Sequence, residues 1–98
     1  MNVQLLSIEP TDQIRTYHIE VKIADRSYKF TITVEIAPIA GQKIQVINGD
    51  ASFLETFRFN PQVARQISRL VLDVHNGETV NIPATISEFK GEAVSFPG

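Results

Sequence analysis

Cysteine is absent, and with it go a disulfide framework, a thiolate metal site and a thiol nucleophile. That absence is neutral about compartment but fits a reducing one. Long hydrophobic runs are lacking too. Met1 is followed by no basic segment and no sustained apolar stretch, so the expectation is of neither a secretory signal nor a membrane span, and of a cytoplasmic protein. Positive charge is in short supply, with nine Lys and Arg against eleven Asp and Glu and a net charge of −2. The field of the whole molecule would mildly repel a polyanion, and nucleic-acid binding would need a local basic patch.

Catalytic motifs are missing as well. There is no Gly-x-Ser-x-Gly elbow, no phosphate-binding glycine loop and no zinc-protease helix. Asp, Glu and His are nowhere gathered at ligand spacing. These absences argue against an enzyme, although they do not touch a site assembled from distant residues. No cofactor, catalytic residue or metal ligand is assigned.

What is present is a pattern of period two. In residues 14–36, Tyr17, Ile19, Val21 and Ile23 alternate with polar residues, and after a polar break so do Tyr28, Phe30, Ile32, Val34 and Ile36. The pattern predicts a long β-hairpin. Closing it around Ala24-Asp25-Arg26-Ser27 would set Ile23 opposite Tyr28, Val21 opposite Phe30, Ile19 opposite Ile32 and Tyr17 opposite Val34. Each is an aromatic or β-branched pair, worth roughly 0.2–1 kcal/mol over Ala–Ala. That register also sets Lys22 against Lys29, a repulsion that Glu20 can offset. Arg26 is poorly suited to the positive φ of a type I′ turn, so a four-residue loop is as acceptable as a tight one.

Before the hairpin, the apolar parity of residues 3–9 changes between Leu5 and Leu6, which predicts a bulge. Pro10-Thr11-Asp12-Gln13 then reads as a turn, making the first three strands a meander. After Ile36, Ala37-Pro38-Ile39-Ala40-Gly41 breaks the pattern. A short run at 43–47 follows, with Ile44 and Val46 on one side. Asn48-Gly49 is the strongest turn signal in the chain, and a tight loop there would pair Ile44 with Phe53 and Val46 with Ala51, the strand continuing through Phe57 and Phe59. The competing reading makes Asp50 the N-cap of a short helix holding Phe53, Leu54 and Phe57. The strand is preferred.

Asn60-Pro61 opens a helix over residues 61–75, since Asn offers a capping oxygen and Pro stands where its missing N–H costs nothing. Val63, Ile67, Leu70, Val71 and Val74 form its apolar stripe, and Asn76-Gly77 ends it. Residues 78–82 resume an extended pattern with Val80 and Ile82, and Pro83 marks a strand end or an edge. The fold expected is α+β: one domain over residues 1–98, an antiparallel sheet of five to six strands, and the 61–75 helix packed on one face. A helix of about 15 residues spans about 22 Å, whereas strands of nine residues reach roughly 30 Å. One helix cannot roof such a sheet, so the sheet curls, the C-terminal segment fills the gap, or a second molecule does.

Candidate functional residues are few. His18 projects from the polar face of the second strand, with Thr33 opposite in the expected register, and a general acid–base role would pair it with Glu20 or Glu35. An ordinary solvated sheet face is the preferred explanation. His75 falls in the last helical turn, where a protonated imidazole gains roughly 0.3–1 kcal/mol from the helix dipole. Arg58, Arg65 and Arg69 could line one side of the molecule and hold phosphate or a carboxylate-rich partner; the simpler account is a soluble helix face on which Arg69 bonds Asp73. Tyr17, Tyr28, Phe30, Phe53, Phe57 and Phe59 are read as core. Phe89 and Phe96, in a tail of weak periodicity, either pack over the sheet or dock on a partner.

The functional expectation that follows is a non-enzymatic protein–protein interaction module. It would bind a protein partner, or itself as a homodimer, through a sheet edge or the uncovered apolar area. The alternative is a small-ligand-binding or weakly catalytic domain with a pocket between helix and curved sheet. A second alternative, disfavoured by the net charge, is nucleic-acid contact through Arg58, Arg65 and Arg69.

Overall fold

The computed structural model describes residues 2–86. Its elements are β1 (Val3–Pro10), β2 (Thr16–Ile23), β3 (Arg26–Ile39), β4 (Gln42–Gly49), α1 (Ala51–Thr56), α2 (Pro61–His75) and β5 (Ala84–Ile86). The strands form one antiparallel sheet in the order β4-β3-β2-β1-β5. The fold is the α+β arrangement that the periodicity predicts, with a second helix that it did not favour.

The bulge in β1 lies between Leu5 and Ser7, where the parity change required it. It lets Val3, Leu5 and Ile8 all join the core. In β2 and β3 the shared apolar face is as expected, but the register is not. Val21 faces Tyr28, Ile19 faces Phe30 and Tyr17 faces Ile32, so the hairpin closes on the two residues Ala24-Asp25. Two causes are visible. Ala24 takes the positive φ, at 58°, which spares Arg26 that conformation and releases it into the strand. The charges also improve, since Lys22 now meets Ser27 and Lys29 meets Glu20, which removes the lysine pair of the expected register.

Of residues 37–41, the first three continue β3 to Ile39 and the break comes only at Ala40-Gly41. Ala40 and Gly41 have φ of 53° and 78°, the pair of left-handed residues that a type I′ turn needs, and Ile39 faces Gln42 across it. Because hydrogen-bonded pairs alternate along an antiparallel ladder, residue 38 directs its backbone away from β4 and toward the β2 side. β2 pairs with β3 only as far as Thr33, so Pro38 forfeits no ladder bond. The same turn pairs Ile44 with Ala37 and Val46 with Glu35. Ile44 and Val46 therefore share a face with each other, as expected, but it is the face opposite Val34 and Ile47.

The strand expected over residues 50–59 is instead α1. Asp50 caps it, its Oδ1 accepting from the Phe53 N–H at 2.9 Å while Oδ2 accepts from the Thr31 N–H at 3.0 Å. Asn48-Gly49 is not a turn because β4 is already closed onto β3 by the earlier one. Gly49 serves a close approach: a Cβ there would stand 2.8 Å from Cγ of Phe53. The freed Phe53 and Phe57 meet Phe30 at centroid distances of 5.4 and 5.8 Å, in the edge-on geometry that aromatic quadrupoles favour. Phe59 lies beyond α1 and is 84% exposed, and Tyr28 is exposed too, so neither is core.

α2 begins and ends where expected, with Val63, Ile67 and Val71 fully buried and Gly77 at φ 85° just past its end, but the Asn60 side chain does not make the capping bond expected of it, and Pro61 alone of the two start signals acts as read. Residues 78–82 are not a strand. The Glu78 N–H bonds the Asp73 carbonyl at 2.8 Å, which turns the chain back at the helix end, and Ile82 is exposed. The edge strand comes after Pro83, where pairing with β1 sets Ile86 opposite Val3 and places it in the core. α2 packs on the sheet from β5 to β4, and α1 covers the β3–β4 end. No helix of the described residues is long and apolar enough to cross a membrane.

Candidate functional site

The three arginines do not form one row. Arg58 follows α1, with Nη1 3.7 Å from Glu55 Oε2 and its guanidinium 5.3 Å from the centre of the Phe59 ring. Arg69 Nε lies 3.6 Å from Asp73 Oδ1, one turn along α2, which is the helix-surface pair expected of it. Both contacts are solvent-exposed and worth little. Arg58 and Arg65 border an open groove of about 480 Å³ floored by Ile47, Phe53, Phe57 and Ala64. Arg65 and Arg69 border a second one, of about 430 Å³, against Leu70, Ala84 and Ile86. Arg65 is the ridge between them, and neither groove holds all three cations. Phe89 and Phe96 lie outside the described residues.

His18 is exposed and borders a shallow recess of about 230 Å³ with Ser7, Glu9, Glu20 and Lys29. Its neighbours across the ladders are Glu9 and Thr31, rather than Thr33. Glu35 stands further along β3, opposite Val46, and is no partner for it. His18 makes no hydrogen bond or ion pair among the described residues. No group of three or more His, Asp or Glu side chains among the described residues is placed to hold a metal ion.

His75 has a partner that sequence reasoning missed. Its Nδ1 and the Tyr17 hydroxyl are 2.9 Å apart, with the rings edge to face at 5.9 Å. One residue on, Asn76 and Gln45 exchange a reciprocal pair of amide hydrogen bonds at 3.0 and 3.2 Å. The C-terminal end of α2 is thus tied to β2 and to β4. No local signal marks either contact, because each joins residues far apart in sequence.

Exposed apolar side chains also mark the outer end of the β3–β4 hairpin. β3 has 14 residues, and its last part runs past the end of β2. There Ile36, Ile39 and Ile44 are 47, 54 and 38% exposed. Among the described residues, two backbone edges are open. On the β2 side, residue 36 has no strand beside it beyond the Arg15–Val34 contact, in which the Val34 N–H bonds the Arg15 carbonyl at 2.8 Å and Arg15 Nε bonds the Val34 carbonyl at 3.0 Å. On the other side, β4 is the end of the sheet. Lys43, Gln45 and Ile47 direct their N–H and C=O groups outward, by the same alternation that frees Pro38.

No known family model matches this chain, and no curated protein does.

Proposed function

We propose that this chain is a non-enzymatic protein–protein interaction module whose docking element is the β3–β4 arm. The observation that carries the reading is the eight-residue edge strand β4, which holds one charged residue, Lys43, and whose exposed Ile44 shares the open face with the exposed Ile39 of β3. Natural sheets blunt such edges with charges, prolines, bulges or covering elements. Among the described residues β4 has none of these beyond Lys43, and exposed apolar surface next to open backbone groups is the chemistry of strand addition.

The other readings have less to stand on. Beneath α2 the sheet offers no enclosed space, since Ile67, Ile19 and Val21 are almost wholly buried in the core, and the groove between α2 and β5 is an open one. A nucleic-acid surface would need Arg58, Arg65 and Arg69 together, whereas two of them face carboxylates and neither groove is bordered by all three.

Photo-crosslinking tests the proposal. A photoreactive side chain at position 44 in the full chain is expected to give discrete protein adducts in the native cell. The same group at position 25, in the turn at the opposite end of β3, is expected to give none. Equal labelling from both positions, or none from position 44, overturns it.

A further inference from the structure

We infer that the open groove between α2 and β5 takes the stretch of this chain that follows it, residues 87–98, with Phe96 as the anchor. The groove has an apolar floor and a cationic rim. Leu70 comes from α2, and Ala84 and Ile86 come from β5, where pairing opposite the buried Leu5 and Val3 turns both side chains to the helix face. Arg65 and Arg69 stand along the α2 side. Arg69 shares its charge with Asp73, whereas Arg65 has no ion pair among the described residues. The volume of about 430 Å³ lies in the range of binding pockets.

Position, composition and spacing together name the occupant. Ile86, the last described residue, is itself a wall of the groove. A segment joined to that wall meets the groove at an effective concentration of the order of millimolar, a level that a separate partner of equal affinity would have to exceed. Residues 87–98 offer Val94 and Phe96 to the floor, and to the rim Glu88 and Glu92 against the single Lys90. Gly91, which is free to take turn conformations closed to other residues, lies five residues after Ile86 and five before Phe96. A reversal there returns Phe96 to the level of Ile86 and keeps Val94 on the same side of the returning segment. Phe89, three residues beyond Ile86, is carried about 10 Å past the groove. β5 and β4 are the two edges of the sheet, four strand spacings or about 19 Å apart, so a segment held here leaves the β3–β4 arm open.

The chain has no tryptophan, so one substitution reports on the groove. In the full chain, Phe96→Trp is expected to emit at shorter wavelength than free indole and to be quenched by acrylamide several-fold less than Phe89→Trp. Both signals should be independent of protein concentration, as an intramolecular contact requires. Adding Leu70→Glu, which charges the floor, or Arg65→Glu, which reverses the rim, should move the Phe96→Trp emission toward that of free indole. Circular dichroism checks that each variant is folded, and the exposed position of Arg65 keeps the test decisive if Leu70→Glu unfolds.

Solvent-like emission from Phe96→Trp, or stronger shielding of Phe89→Trp, overturns the anchor. A shielded indole that neither Leu70→Glu nor Arg65→Glu exposes overturns the groove as its site. Shielding that appears only as concentration rises assigns the contact to a second copy and overturns the intramolecular occupant. None of these outcomes alters the crosslinking expected from position 44, so the docking arm is tested separately.

Discussion

Gly49→Ala isolates the contact on which the helix-covered end of the sheet depends. The added Cβ would lie 2.8 Å from Cγ and 3.0 Å from Cβ of Phe53, with Cδ2 closer still. Phe53 has little room to retreat. Its ring is edge-on to Phe30 at 5.4 Å and tilted against Phe57 at 5.1 Å, and its backbone N–H is fixed by Asp50 at 2.9 Å. Overpacking of this kind costs about 1–3 kcal/mol. Gly49 is not among the residues of positive φ, so the alanine backbone fits and recovers about 0.4–1 kcal/mol through the unfolded chain. The expected net loss is about 1–2 kcal/mol, which for a chain of this size lowers Tm by about 4–16 °C. Urea unfolding followed by far-ultraviolet circular dichroism measures it, with the slope expected to stay constant. A double-mutant cycle with Phe53→Ala tests the cause. That substitution alone costs about 3–5 kcal/mol, and in its background Gly49→Ala should be neutral or slightly stabilising. Additivity within about 0.5 kcal/mol, or a Gly49→Ala variant as stable as the parent, would refute the close-approach argument.

Three further outcomes are expected. Asp50→Ala removes the cap of α1 and strands the Thr31 N–H; a lost cap costs about 0.5–2 kcal/mol and an orphaned donor about 1–3 kcal/mol, so a loss below about 1 kcal/mol in denaturant unfolding would contradict the bridging role. Tyr17→Phe deletes only the hydroxyl that meets His75 and should cost about 0.5–1.5 kcal/mol, an effect that vanishes in a His75→Ala background if that contact is its source. Ala40→Asn puts Asn-Gly into the type I′ turn where Ala now holds φ 53°, and should raise stability by about 0.5–1 kcal/mol; a lower Tm would mean that the turn is held by something other than its own residues.

The sequence made faces legible more readily than registers. Alternation alone places Ile19, Val21, Phe30 and Ile32 on one side, because any slip by one residue would expose them all. A slip by two leaves every side chain on its face, so only secondary effects decide it, here the Lys22–Lys29 repulsion and the reluctance of Arg26 to take a positive φ. The bulge at Leu6 and the bounds of α2 were legible because each has a local cause. Asn48-Gly49 misled because a turn preference is local, whereas its use depends on whether the strand before it has already found a partner. Pro38 misled for a related reason: whether a missing N–H matters depends on the length of β2. Of the candidate site residues, Arg69 with Asp73 could be anticipated from helix spacing. The Tyr17–His75 and Gln45–Asn76 contacts could not, as they exist only once α2 lies across the sheet.

The outward placement of Ile44 and Val46 follows from the parity of one turn. With two residues in the loop, odd positions of β3 meet even positions of β4. Even residues of β3 such as Ile32 and Val34 are buried, so Ile44 and Val46 are driven to the other side. One more residue in the loop would reverse this and point Lys43 and Gln45 away from the helix. The observed choice matches where α2 stops. At its end the helix offers Asn76, which Gln45 bonds, and no further apolar stripe, so a polar residue on that side of β4 is satisfied and an apolar one would gain little. The apolar residues of the strand accordingly lie mostly on the open side, the reverse of the pattern in β2. Both described helices lie on the opposite face, so covering Ile44 requires surface from beyond the described fold.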